Sequence, residues 1–101
     1  MRVIERRIQK VRDGQRDRVM DLENRFAAAE APYGAPEKRR YLCIGGPYDL
    51  DTMIWEREWP SLAAMEAAYE KAFSDPAFQA LADEAAVVFA DGRNELYTVW
   101  E

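Results

Sequence analysis

Residues 51–78 read DTMIWEREWPSLAAMEAAYEKAFSDPAF, and two different periodicities meet inside them. Up to Trp59 the pattern has period two. Met53, Trp55, Arg57 and Trp59 fall on one side of an extended chain, and Ile54, Glu56 and Glu58 on the other. Pro60 stops that strand. Ser61 is a good helix cap, although Ala64 cannot supply the reciprocal acid of a capping box. Behind it Met65, Ala68, Tyr69 and Ala72 recur at helical spacing. Asp75 then caps a restart, Pro76 fits a first helical turn, and Phe78, Leu81, Ala82, Ala85 and Phe89 make the next stripe.

Working outward, residues 2–11 alternate as a strand. Val3, Glu5, Arg7, Gln9 and Val11 share one face, Ile4, Arg6, Ile8 and Lys10 the other. Arg12-Asp13-Gly14 is a turn signal, and Asp13 is placed to cap the helix after it. Val19, Leu22, Phe26 and Ala29 form the apolar stripe of a helix over 15–31, which Pro32, Gly34 and Pro36 end. Residues 38–46 read as a second strand. The Gly45-Gly46-Pro47 link to the 51–59 strand is hairpin chemistry. Residues 91–94 read as a turn, and 95–100 as a last strand with Leu96, Thr98 and Trp100 opposite Glu95, Tyr97 and Val99.

The predicted order is β-α-β-β-α-(α)-β in one domain, 1–101. That is an α+β, ferredoxin-like arrangement: a four-stranded antiparallel sheet with helices on one face. The uncovered face is expected to carry aromatic residues into water, and a second copy packed face to face would bury them. In this reading the tryptophans of 51–59 bury between or beneath subunit sheets.

Composition narrows the function. The chain has 101 residues and no histidine, which removes histidine triads, histidine general bases and histidine-ligated haem. No zinc shell is expected, and no other metal or cofactor. The single cysteine, Cys43, makes no intrachain disulfide and fits a reducing cytoplasm. No run nears the roughly 20 apolar residues of a membrane span. The opening residues lack the apolar core of a secretory signal and read as part of the fold. Net charge is −5. Eight of the fourteen basic residues precede residue 26, whereas from Ile44 onward three basic residues meet twelve acidic ones. That balance opposes nucleic-acid binding.

Three stretches, VIERRIQKVRDGQRDRVMDL at 3–22, MIWEREWPSLAAMEAAYEKAFSDPAFQAL at 53–81 and ELYTVW at 95–100, resemble the dimeric α/β barrel superfamily. Within it the chain is most similar to NIPSNAP-like and antibiotic-biosynthesis-monooxygenase-like small proteins. Glu5, Arg7 and Gly14 match the opening strand and glycine turn. Trp55, Ser61, Leu62, Ser74, Asp75, Pro76 and Phe78 match the later strand and helices. Gln9 and Asp13 depart from the tyrosine and proline frequent there. The resemblance implies a homodimer whose two sheets close a barrel, often around a pocket. It does not imply one reaction, and the histidine-dependent relatives are poor models.

Among individual residues, Glu5 and Arg7 share a strand face. They read either as an ion-pair element or as a base with an anion-binding partner. Tyr41 is a phenol able to orient a ligand oxygen, and completes the catalytic candidates. Trp55, Arg57 and Tyr97 are the binding candidates, with Arg57 expected to pair with Glu5 or stack on an aromatic. Glu56 and Glu58 read as salt-bridge partners. Three functions stay open: a dimer of unassigned activity binding a small apolar or aromatic molecule between sheet and helices, a cofactor-independent monooxygenase or isomerase acting on an aromatic or enolic molecule, and a structural or regulatory dimer whose interior Trp55 and Tyr97 fill.

Overall fold

Period-two alternation in two strands sets the register of the sheet. The computed structural model describes residues 1–100, and in it β1 (Val3–Val11) runs antiparallel to β3 (Thr52–Trp59), with Val3 opposite Trp59, Glu5 opposite Arg57, Arg7 opposite Trp55 and Gln9 opposite Met53. β4 (Phe89–Thr98) flanks the other side of β1, and β2 (Arg39–Leu42) flanks β3, so the strand order is β2-β3-β1-β4. Between the strands come α1 (Val19–Glu30), α2 (Leu62–Phe73) and α3 (Pro76–Val88). The ferredoxin-like arrangement, with helices on one face, is the one expected.

The expected barrel is not. Among the described residues the sheet is open, with β2 and β4 as its two edges, each hydrogen-bonded to one neighbouring strand. A closed barrel with a packed interior takes about eight strands, and the sheet of this chain has four among the described residues.

Of the two places expected for the tryptophans, between or beneath the subunit sheets, the second is the one found. Met53, Trp55 and Trp59 point at the helices of their own chain and are buried, Trp59 to 2 % exposure. No second subunit is needed to cover them. Met53 and Trp55 join Val11, Val19, Leu22, Val88 and Phe89 in one apolar cluster. Trp59 joins Val3, Met65 and Ala68 in another. The open face carries Ile4 and Ile54 among ion pairs: Arg6 on Glu56 at 2.6 Å, Arg6 on Glu95 at 3.8 Å, and Arg2 on Glu58 at 3.3 Å. Glu56 and Glu58 thus take the salt-bridge role.

Local chemistry explains most element boundaries. Ser61 Oγ accepts from the Ala64 N–H at 3.0 Å, and Asp75 Oδ1 from the Ala77 N–H at 2.9 Å, which caps α2 and α3. Asp13 does not cap α1. A 3₁₀ turn at Arg16–Arg18 intervenes, and α1 starts from Arg18 with no side-chain cap. Nor is 91–94 a turn. β4 begins at Phe89, directly after α3, and Asp91–Asn94 pair with Arg7–Lys10. The backbone groups on that side of β1 need partners along the whole strand, and this demand overrides the local turn preference.

Glu84 on α3 ties that helix to α1, taking 2.6 and 2.7 Å hydrogen bonds from Arg25. Those bonds, with a further contribution from Arg18, hold the Glu84 carboxyl down to about 2. Any stability from this bridge is therefore present above the ordinary carboxylate pKa of 4.5 and disappears as pH falls through about 2.

Leu22 is fully buried at the centre of the first cluster. Leu22→Ala is expected to cost about 2–5 kcal/mol, read as a shift in the urea unfolding midpoint with an unchanged slope.

Candidate functional site

Between the two apolar clusters the helix-covered face of the sheet turns polar. Glu5 and Arg57, opposite each other on β1 and β3, are both buried. Arg57 Nε donates to Glu5 Oε1 at 2.8 Å, Nη1 to Glu30 Oε2 at the end of α1, and Nη2 to the Tyr69 hydroxyl on α2 at 2.7 Å. Tyr69 in turn donates to Glu5 Oε2, and the Trp59 indole N–H to Glu5 Oε1 at 2.9 Å. Lys38, before β2, donates to Glu30 Oε1 at 3.0 Å and stands 4.2 Å above the Trp55 ring centroid. The Arg57 guanidinium carbon lies 4.9 Å from the centroids of both Trp55 and Trp59. Two buried carboxylates therefore meet two cations.

Burial by itself would lower the Arg57 pKa, but Tyr69, Glu30 and Glu5 outweigh it and hold the guanidinium above its ordinary value. Burial raises the Tyr69 phenol. Arg57 pulls it back, while Glu5 pushes it further up, and the net is well above the usual tyrosine range. Tyr69 is thus a neutral donor at physiological pH. Both oxygens of Glu5 are already occupied, by three donors in all.

Above this floor lies a cavity of about 620 Å³. β1 and β3 contribute Glu5, Arg7, Gln9 and Trp55 to its lining; α1 contributes Glu23, Phe26 and Glu30. Met65, Tyr69 and Phe73 come from α2, and Phe78 and Ala82 from α3. The aromatic walls brace one another: Phe73 stacks on Tyr69 at 5.5 Å, and Phe78 meets both Phe26 and Phe73 edge-on at 5.6 Å. Among the described residues, Gln9 Oε1 and Glu23 Oε1 are buried without a hydrogen-bond partner. Arg40 Nε stands 3.4 Å from that Glu23 oxygen as an ion pair. Among the described residues, no three His, Cys, Asp or Glu side chains gather as metal ligands. No helix of the described residues is long and apolar enough to cross a membrane.

Of the six residues singled out from sequence, Glu5, Arg7 and Trp55 line the cavity, and Arg57 sits in the cluster beneath it. Arg57 both pairs with Glu5 and stacks on aromatics. Tyr41 and Tyr97 are not brought to them. Their register partners are Ile54 and Ile4, which places both on the opposite, open face. Tyr97 donates to Glu95 there at 2.9 Å, with Arg6 over its ring. Sequence reasoning missed Tyr69, Glu30, Glu23 and Lys38. A signal existed for two of them: Glu23 and Glu30 fall at stripe spacing from Val19, Leu22 and Phe26, and a carboxylate inside an apolar stripe marks a buried partner.

No family model and no curated protein matches the chain. Solved structures do. A NIPSNAP family protein of Agrobacterium tumefaciens is similar with a TM-score of 0.83 and 22% identity, over 99% of this chain and 87% of its own. An uncharacterized NIPSNAP domain protein of Burkholderia xenovorans gives 0.81 at 13% identity, over 97% and 94%. A cofactor-independent oxygenase of Streptomyces nogalater gives 0.64 at 13%, over 99% and 94%. The chain therefore has the fold of the NIPSNAP-like proteins, and at these identities the likeness speaks for the fold alone.

Arg57→Met leaves Glu5 and Glu30 buried without their shared cation, and is expected to cost about 3–5 kcal/mol. Adding Glu5→Gln should recover part of that loss in the same urea titration, since the Glu5 charge goes while Glu30 keeps Lys38. In an alkaline titration followed by tyrosinate absorbance, Tyr69→Phe should remove a step lying above the ordinary tyrosine range. Because the folded pKa is the raised one, the stability tied to neutral Tyr69 is full below about 10 and declines as pH rises beyond it.

Proposed function

We propose that this protein binds a small molecule with an apolar or aromatic body in the cavity between sheet and helices. The cavity itself carries the reading. At about 620 Å³ it falls inside the range of ligand pockets, and it joins aromatic walls to a few fixed polar groups. It also opposes a filled interior. Trp55 forms part of its wall, and Tyr97 lies across the sheet. The fold does not decide between binding and catalysis.

Self-association through the open sheet face is part of the same proposal. Tyr41 and Tyr97 stand there 43% and 46% exposed, beside Ile4 and Ile54 and within a field of ion pairs. Two such faces would bury the rings against each other.

Native mass spectrometry of gently purified protein should show a retained small molecule, and methyl 2-naphthoate should bind the emptied protein by calorimetry. Ala82→Trp fills the cavity from an exposed position on α3. It is expected to weaken methyl 2-naphthoate at least about tenfold, as a steric block in a pocket does, with an unchanged far-ultraviolet circular dichroism spectrum. A protein that retains nothing and ignores the probe does not use the cavity. In sedimentation, the unsubstituted chain should run at twice its own mass and Tyr97→Asp as a monomer. A wild-type monomer would dispose of the self-association.

A further inference from the structure

The charges around the cavity are neutralised unevenly. Glu30 holds Lys38 and Arg57, Glu5 holds Arg57, and Glu23 faces Arg40. Arg7 differs. Among the described residues it has no carboxylate partner; its Nη1 donates to the neutral Asn94 Oδ1 at 2.9 Å. Arg7 is half-buried and its bond to Asn94 is exposed, so the guanidinium stands beside the cavity with its charge free to meet that of a ligand.

β4 is shaped around this guanidinium. Gly92 lies two residues before Asn94 on the same face, opposite Gln9 of β1. Its φ is not among the positive ones, so the backbone there does not call for glycine. Space does. A Cβ at position 92 would come within 2.8 Å of Arg7 Cζ, and nearer still to Nη2. The missing side chain is the room in which the Arg7 head lies, and Asn94 fixes one edge of it. Arg7 and Asn94 both line the cavity. Glu66 and Glu70 line it too, but they are exposed on α2, where water and salt screen them.

We propose that Arg7, Gly92 and Asn94 form a carboxylate seat, so that the cavity takes an aromatic or apolar acid. The proposal rests on the reading of the cavity as a ligand site and adds the charge of the ligand. Arginine suits the task, because its planar fork can give two parallel hydrogen bonds to one carboxylate. Gly92 then acts as a specificity-determining position, although it touches no ligand.

Calorimetry on the full chain with three probes of one shape tests this: 2-naphthoate, its methyl ester, and 2-naphthylmethylammonium. The anion should bind at least about tenfold tighter than the ester, as a charge-assisted pair allows. Gly92→Ala, which pushes the guanidinium from its seat, and Asn94→Ala, which releases its edge, should each remove most of that preference, read as the ratio of anion to ester affinity within the same variant. Circular dichroism checks that each variant folds, and Asn94→Ala adds no bulk should Gly92→Ala fail. If the ester binds as well as the anion, or the ammonium binds best, the seat is wrong and the cavity reading stands. Survival of the anion's preference in both variants would also overturn the seat. Binding of none of the three probes would remove the seat and the cavity reading together.

Discussion

Arg57 is the point on which the interior depends. Its guanidinium joins Glu5 on β1, Glu30 on α1 and Tyr69 on α2, so one β3 side chain ties together the sheet and two of the helices. Such a group is expensive to bury, and the cost is offset only when every partner is in place. Here the partners are satisfied reciprocally, by Trp59 and Tyr69 on Glu5 and by Lys38 on Glu30. The cluster acts as a registration device. Sliding β3 by one residue would turn Arg57 to the open face and take the shared cation away from Glu5 and Glu30.

The cluster also shapes the cavity. It lies between the two apolar clusters and gives the space above it a polar floor. Small residues on α3, Ala82 and Ala85, keep that space open, while Phe26, Phe73 and Phe78 brace its walls. Arg7 stands apart from this balanced network, held by β4. Structural likeness extends both to NIPSNAP family proteins and to an oxygenase, so the fold alone is silent on chemistry.

Several features were readable directly. The alternation at 53–59 placed Met53, Trp55, Arg57 and Trp59 together, and Ser61 and Asp75 announced their helices. The errors have a common origin. Asp13 had the right chemistry for a cap, and 91–94 the right composition for a turn, but both judgements were local. The tryptophans were left either between or beneath the subunit sheets, because alternation says which residues share a face, not which face the helices cover. Tyr69 stood out only by its helical spacing, because nothing in its own helix reveals Glu5 and Arg57 waiting on the sheet.

Sequence by itself determined the order of elements, the β-hairpin pairing and the groups of residues that share a face. These follow from periodicities of 2 and 3.6 and from capping and turn residues, all of which act over a few positions. Tertiary structure decided which face became the interior, that Tyr41 and Tyr97 lie across the sheet from Glu5 and Arg7, and that Glu30, Lys38 and Tyr69 converge on Arg57. It also decided that the sheet stays open. Register between strands, and the docking of helices on one side, join residues as far apart as Glu5 and Tyr69, and such contacts leave no mark on the spacing of either segment.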